Sequence, residues 1–407
     1  VTRGAPATLV LGDFPRITVP VARCLAGHGI PVYGAAIMTD GRSIRSRALK
    51  GFFQLSHPSR SRDEFVTDLL AVIERYRIDT VVPVGDGELS ALTSNEEALA
   101  PRIHRLYPTA ENARRVLEKS RTLAVAERYG LPAPRTAYLR TRDDLDICPE
   151  DFPFPAIVKP QDRGRANPMR IRYFESAPAM QSFMAPLMDS GSEWMLQEYA
   201  PGVGVGVEIL MHDGEPLIVF QHRRLKEFPI TGGVGVRCVS EKPDDDLATQ
   251  AVRLLRALEW EGLAMVEFRY DPVSGSARLM EVNGRCWGSM ALPIQCGVAF
   301  PYYAWQLLHG QTPDVPSHYP AGSRMRWLAG EIRRLPQVAG QLARGERPWS
   351  NGLGDVALTG ADFFTGTRDA LWSWKDPVPA LRDLRTATGE LLGTVARKGK
   401  QLSPGKR

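Results

Sequence analysis

"LMEVNGRCWGS" (residues 279–289) places Glu281 and Asn283 two positions apart near the end of an apolar run. A β-strand shows residues i and i+2 on one face, so carboxylate and amide point the same way. Upstream, "GLAMVEFRYD" (262–271) is a second strand-like run. "DPVSG" (271–275) joins the two, and its proline and glycine favour a hairpin. Centring the turn on residues 273–274 lays Glu267 close to opposite Glu281. Met265, Glu267 and Arg269 then share one face with Glu281 and Asn283, whereas Ala264, Val266 and Phe268 take the other. A slip of one residue would undo this register.

Carboxylates facing each other across a hairpin lie about 5 Å apart. At an effective dielectric of 20 they repel by about 3 kcal/mol, so the pair needs a cation. Arg269 and Arg285 are near in sequence. A divalent metal is the other solution, and the all-oxygen set Glu267, Glu281 and Asn283 suits magnesium or manganese. The hairpin by itself leaves both open.

The 407 residues suggest two or three domains. Their balance of 43% hydrophobic and 24% charged residues is that of a globular protein. The net charge of +5 is small for this length, and part of it lies in the tail "ARKGKQLSPGKR". Without a basic stripe interleaved with aromatics, nucleic acid is not an expected partner. The cysteines Cys24, Cys148, Cys238, Cys286 and Cys296 are scattered and odd in number. That argues against a disulfide framework or zinc site and fits a reducing compartment. With no signal-peptide pattern and no apolar run near the ~18 residues of a membrane span, a cytoplasmic protein without membrane contact is expected.

Along the chain, "ATLVLGDF", "IPVYGAAI" and "RIDTVVPVGDG" read as strands alternating with the helices "PRITVPVARCLAGHG" and "ELSALTSNEEAL". That order implies a parallel sheet. The first loop, Gly12-Asp13-Phe14, has no G-x-G-x-x-G, so this unit is a scaffold rather than a dinucleotide site. "ENARRVLEKSRTLAVAERYG" (111–130) reads as one helix with Lys119 inside it, and "FPAIVKP" (154–160) as a short strand ending near Lys159. From about residue 193 the pattern becomes antiparallel, with Asp213-Gly214 as a hairpin turn. Residues 244–262 form an amphipathic helix. In "LQEYAPGVGVGV" (196–207) a strand runs into a polar hinge and a glycine-rich segment, which allows close approach of a ligand. "RRLKEFPITGGVGVR" (223–237) gathers Arg223, Arg224, Lys226 and Arg237 at a Gly-Gly turn, as a basic flap or as a solvated loop. The tryptophans of "WSWKDPVPALRDL" are candidates to dock on the body.

Five of these stretches stand in an order that resembles the ATP-grasp superfamily: "EKSRTLAVAERYGLPAPRT", "FPAIVKP", "LQEYAPG", "VEFRYD" and "LMEVNGRCWGS". The branch they resemble includes carbamoyl-phosphate synthase large-subunit domains and stand-alone carboxylate–amine ligases. The resemblance implies an α/β N-terminal domain of the pre-ATP-grasp type with a parallel sheet. α+β ATP-grasp domains with antiparallel sheets and a partly helical C-terminal extension would follow. The boundaries expected are 1–110 for the N-terminal domain, 111–192 for the small subdomain and 193–310 for the magnesium and ATP subdomain. The helical extension would span 311–395 and a basic disordered tail 396–407.

For the site, the resemblance implies ATP with Mg²⁺, or Mn²⁺ in its place. Lys119 and Lys159 would contact phosphates, and the hinge Gln197, Glu198 and Tyr199 would hold adenine. Glu267, Glu281 and Asn283 would ligate the metal, and Arg285 would stabilise the transferring phosphoryl group. The implied reaction joins a small-molecule carboxylate, activated as an acyl phosphate, to an amine, with a homodimer as the expected assembly. A bicarbonate-using carboxylase and a nucleotide sensor without turnover are the alternatives. Two features depart from the family pattern. Glu208 falls late for a ribose ligand, and "PQDRGRANPMR" (160–170) has one glycine where a glycine- and serine-rich loop is usual.

Overall fold

The computed structural model describes residues 6–37, 44–146, 151–160, 171–190, 193–230, 232–346, 354, 362 and 365–402. Cys148 and most of the 160–170 loop lie outside them. Five parallel strands open the chain: β1 (Ala7–Leu11), β2 (Val32–Ala36), β3 (Phe52–Gln54), β4 (Ile78–Pro83) and β5 (His104–Arg105). Their order β3-β2-β1-β4-β5 agrees with the parallel sheet expected. All of β1 is buried, which explains its unbroken apolar run. Strand order reverses between β1 and β4, which run parallel, so the loops after Leu11 and Pro83 flank the crevice where such sheets bind ligands.

A four-stranded antiparallel sheet follows, built from β6 (Thr136–Leu139), β7 (Ala156–Pro160), β8 (Arg172–Phe174) and β9 (Trp194–Glu198) in the order β6-β9-β7-β8. β9 therefore belongs to the small sheet, and the boundary expected at 192/193 moves past residue 198. Apolar alternation looks the same in either sheet; pairing with β6 and β7 decides it.

The large sheet contains β10 (Val203–His212), β11 (Glu215–Phe228), β12 (Val234–Glu241), β13 (Gly262–Asp271), β14 (Ser276–Asn283), β15 (Arg324–Arg326) and β16 (Arg368–Asp369). Its order is β14-β13-β10-β11-β12-β15-β16. Asp213 and Gly214 both have positive φ and make the β10–β11 turn. The helix Asp245–Ala257, capped by the Asp244 side chain, lays Leu247, Ala251, Leu254 and Leu255 on Val205, Val207, Ile209 and Val266. The other face of the sheet is thereby left to the site.

Four expectations need correction. The helix predicted over 111–130 is two helices, Ala110–Leu117 and Lys119–Arg128, because Glu118 adopts an extended backbone. The segment expected to be a helical extension also supplies β15 and β16, which are too short to show alternation. The last helix, Val378–Leu402, continues into the expected disordered tail, where alanine, arginine, lysine and glutamine favour helix. The C-terminal segment docks through Leu371 and Asp376, not through its tryptophans, since Trp374 is 86% exposed. Asp376 accepts hydrogen bonds from Arg23 Nη2 (3.0 Å), Ser46 Oγ (2.5 Å) and the Arg47 amide (3.2 Å).

Replacing Asp376 by Ala leaves the part-buried Arg23 without its carboxylate and should cost about 2 kcal/mol. Limited proteolysis should then release fragments of the 378–402 helix faster than in the parent protein. Unchanged proteolysis with unchanged melting would show that Asp376 does not hold this segment.

Candidate active site

The β13–β14 hairpin pairs Glu267 with Glu281 and Met265 with Asn283. The register agrees with the counting above because of a bulge. Pairing shifts by one residue between Glu267 and Phe268, which leaves Met280 as the extra residue. Glu267, Glu281 and Asn283 thus share one face and line a cavity of about 240 Å³. Lys119, Lys159, Tyr199 and Arg285 line it as well. Seven of the nine residues expected at the site therefore meet in one cavity.

The other two do not line it. Gln197 is fully buried, accepting from Lys159 Nζ (2.7 Å) and donating to Thr136 Oγ1 (3.0 Å), so it positions the lysine. The Glu198 carboxylate accepts from the Arg135 amide (3.0 Å), outside the cavity. Strand alternation explains the split, since Gln197 and Glu198 point to opposite faces of β9.

The cations that answer the opposed carboxylates are not the ones near in sequence. Lys119 Nζ sits 2.6 Å from Glu281. The break at Glu118 makes that lysine the first residue of its helix and aims it at β14. Arg224 grips Glu267 with both terminal nitrogens and also bonds the Gly233 carbonyl (3.0 Å). Arg269 is instead held by Glu227 (3.1 Å). Arg285 donates to Asp86 (3.0 Å), which begins a helix of the N-terminal sheet unit, and so links that unit to the hairpin. Burial alone would lower the Arg224 pKa, but Glu267 and Glu227 more than reverse this and hold it above its ordinary value.

Two features of the basic hairpin were hidden in the sequence. Arg224 and Arg237 are buried, and Arg237 pairs with Glu331 (2.7 Å) and Asp362. "GVGVGV" serves these neighbours rather than a ligand. A Cβ at Gly204 would lie 2.7 Å from Arg224 Cδ, and one at Gly206 would lie 2.3 Å from His222 Cε1. Alternate glycines on β10 therefore make room for the Arg224 and His222 side chains of β11. His222 and Glu208 form a buried pair (2.9 Å), and Ser289 Oγ donates to the same carboxylate oxygen (2.9 Å). Burial would push the imidazole down, but the Glu208 carboxylate outweighs it and holds His222 up at about 10. Glu208 is thus a core residue, which disposes of it as a ribose ligand. Cys286 is buried and its thiol is pushed up to about 12, so it is no nucleophile.

A second cavity, of about 530 Å³, opens towards the N-terminal unit, where His57, Ser59, Arg62, Asp86 and Ser94 line it. Lys119, Glu281 and Asn283 border both cavities. Nearby, Glu88 is 2% exposed; burial raises its carboxyl to about 7, with Asp13 and Asp86 adding to the shift and Arg285 opposing it.

Residues 190–331 match the family model described as ATP-grasp in the biosynthetic pathway with Ter operon. A D-aspartate ligase of Enterococcus faecium (strain Aus0004) is 23% identical over 224 residues, which cover 50% of this chain and 52% of the relative. The chain thus matches about half the length of that relative. Biotin carboxylase from Campylobacter jejuni, solved as a β,γ-ATP complex, superposes with a TM-score of 0.61 at 15% identity, over 78% of this chain and 74% of that one. An L-amino acid ligase from Bacillus licheniformis superposes with a TM-score of 0.59 at 14% identity, over 75% and 74%. No helix among the described residues is long and apolar enough to cross a membrane.

Glu88 yields a prediction about pH. Between pH 4.5, its ordinary value, and about 7 the unfolded chain ionises this carboxyl and the folded chain does not. Stability should therefore fall by roughly 3 kcal/mol across that window and stay lost above it. Denaturant unfolding of Glu88→Gln at pH 4.5, 6 and 8 should show this part of the slope removed. The same slope in both proteins would count against the buried, neutral carboxyl.

Proposed function

The chain is an ATP-grasp protein, and from that premise we propose that it is an ATP-dependent carboxylate–amine ligase that forms ADP and phosphate. The observation that carries this reading is the opposed Glu267–Glu281 pair, with Asn283 on the same face, inside a cavity walled by Lys119 and Lys159. Three oxygen donors on one sheet face fit magnesium, and the fit is chemical as well as spatial. The pair is at present neutralised by two separate cations that a divalent ion can replace. Magnesium in that place would neutralise charge on the nucleotide phosphates.

The residues of the chain do the rest. Lys159, fixed by Gln197, and Lys119 meet phosphate oxygens, and Tyr199 lies at the hinge where adenine would rest. Lys119 and Arg224, once released from their carboxylates, add positive charge where the γ-phosphoryl group moves. A substrate carboxylate oxygen attacks the γ-phosphorus, the bond to the bridging oxygen breaks, and ADP leaves. The amine nitrogen of the second substrate then attacks the acyl carbon, phosphate departs, and the amine proton passes to solvent. Arg285, which lines the same cavity and is tied to Asp86, would stabilise the transferred group. Having two cavities that meet at Lys119, Glu281 and Asn283 suits a reaction in which nucleotide and acceptor approach from different sides.

Purified protein supplied with ATP, magnesium and pooled amino acids and carboxylates should release ADP and phosphate together. AMP and pyrophosphate as products would exclude the acyl-phosphate route, and nucleotide binding without turnover would favour a sensor. Glu281→Gln should lower turnover by about 10³-fold or more while leaving the protein folded. Chelating the metal from the parent protein should do the same.

A further inference from the structure

Seven cationic side chains line the 240 Å³ cavity, and six of them have partners: Lys119 with Glu281, Lys159 with Gln197, His222 with Glu208, Arg224 with Glu267, Arg269 with Glu227 and Arg285 with Asp86. The seventh, Arg16, has no carboxylate partner among the described residues. Its Nη1 is shut off from solvent without a hydrogen bond. Leaving a shielded guanidinium nitrogen unpaired costs free energy that a protein normally avoids.

Arg16 is nevertheless held firmly. It is the second residue of the helix Pro15–Gly27, directly after the crevice loop that follows β1. Its guanidinium lies over the Trp327 ring (4.7 Å) and against Gly288, where a Cβ would come within 2.7 Å of Nη2. Burial, then Arg285 and Arg224 nearby, lower its pKa to about 10 against a smaller opposing pull from Asp383, which is itself held by Arg333 and Trp327. A planar guanidinium that lines a cavity near a helix N-terminus, with one nitrogen lacking a hydrogen bond, is matched by a carboxylate.

We infer that Arg16 anchors a carboxylate which the substrate carries besides the one being activated, so that the enzyme takes diacids such as acidic amino acids. The inference rests on the ligase reading for its reaction but not for its binding. A carboxylate that becomes an acyl phosphate and then an amide loses its charge, and a rigid guanidinium would again be unpaired at the product stage. A carboxylate that survives the reaction keeps Arg16 paired throughout. The anchor also comes from the N-terminal unit, whereas the phosphate-facing lysines and the metal set come from the rest of the chain.

The test uses the full chain, Arg16→Gln and Arg16→Lys, with D- and L-aspartate, D- and L-glutamate and succinate as probes, and asparagine and glutamine as controls with a single carboxylate. Without nucleotide, one or more diacids should raise the melting temperature of the parent protein and leave Arg16→Gln unmoved. Ligand-free Arg16→Gln should melt no lower than the parent, because it removes an unpaired charge. In turnover, Arg16→Gln should raise KM for the diacid by roughly 100-fold and leave KM for ATP nearly unchanged, with Arg16→Lys in between. Three results would overturn the inference: no thermal shift with any diacid, equal response to the one-carboxylate controls, or an effect of Arg16→Gln on ATP instead of the carboxylate. Failure of the ligase reading would look different, as diacid binding that never leads to ADP.

Discussion

Two carboxylates, Glu267 and Glu281, are held opposite each other in a hairpin whose other face is core. Val266, Phe268, Leu279 and Val282 pack into that core, so neither strand can rotate its charges away. The repulsion must be met where it stands, and the chain meets it from two directions. Lys119 arrives from a helix that begins only because Glu118 breaks the one before it. Arg224 arrives from β11, two strands away, across a β10 thinned at Gly204. The helix break, the glycine at 204 and the bulge at Met280 look unrelated in sequence, yet all serve this one charge balance.

The same balance explains why the face can act as a site and not merely as a salt-bridged surface. Each carboxylate is paired with a different cation on a different element, so both pairs can open without disturbing the core beneath. Arg285 has a comparable role at the boundary, since its contact with Asp86 joins the hairpin to the crevice of the parallel sheet. Glu88 and Arg16 lie at that crevice too. One is a buried acid pushed towards neutrality and the other a shielded base without a partner. Both hold unfavourable electrostatics of the kind that functional sites retain.

Much of this was legible in sequence wherever the signal was local. The Glu267–Glu281 pairing is legible to within one residue from a Pro- and Gly-containing turn inside one hairpin, and the bulge at Met280 supplies the remaining offset. The parallel sheet follows from alternating strands and helices. What stayed hidden depends on contacts between distant residues. Nothing near Arg224 marks it as the partner of Glu267 rather than one basic residue among four. Likewise "GVGVGV" looks like a ligand-facing loop until β11 is laid beside it. β9 could be placed only by its neighbours, and β15 and β16 are too short to carry a period. The break at Glu118 involves neither glycine nor proline and gives no warning.

Arg16 shows the limit most clearly, because what distinguishes it is the lack of a carboxylate in hydrogen-bonding contact among the described residues, and no motif records that. In sequence it is one arginine after a proline at the start of a helix. In the fold it is brought against Gly288, Trp327 and two other arginines, all from segments more distant along the chain. A protein selected for stability alone would replace it with an uncharged side chain, as the cluster loses by keeping it. Its retention is explained if the missing anion arrives with the substrate. In that case part of the binding free energy comes from relieving a repulsion built into the empty cavity, and the same repulsion discriminates against ligands that bring no second carboxylate.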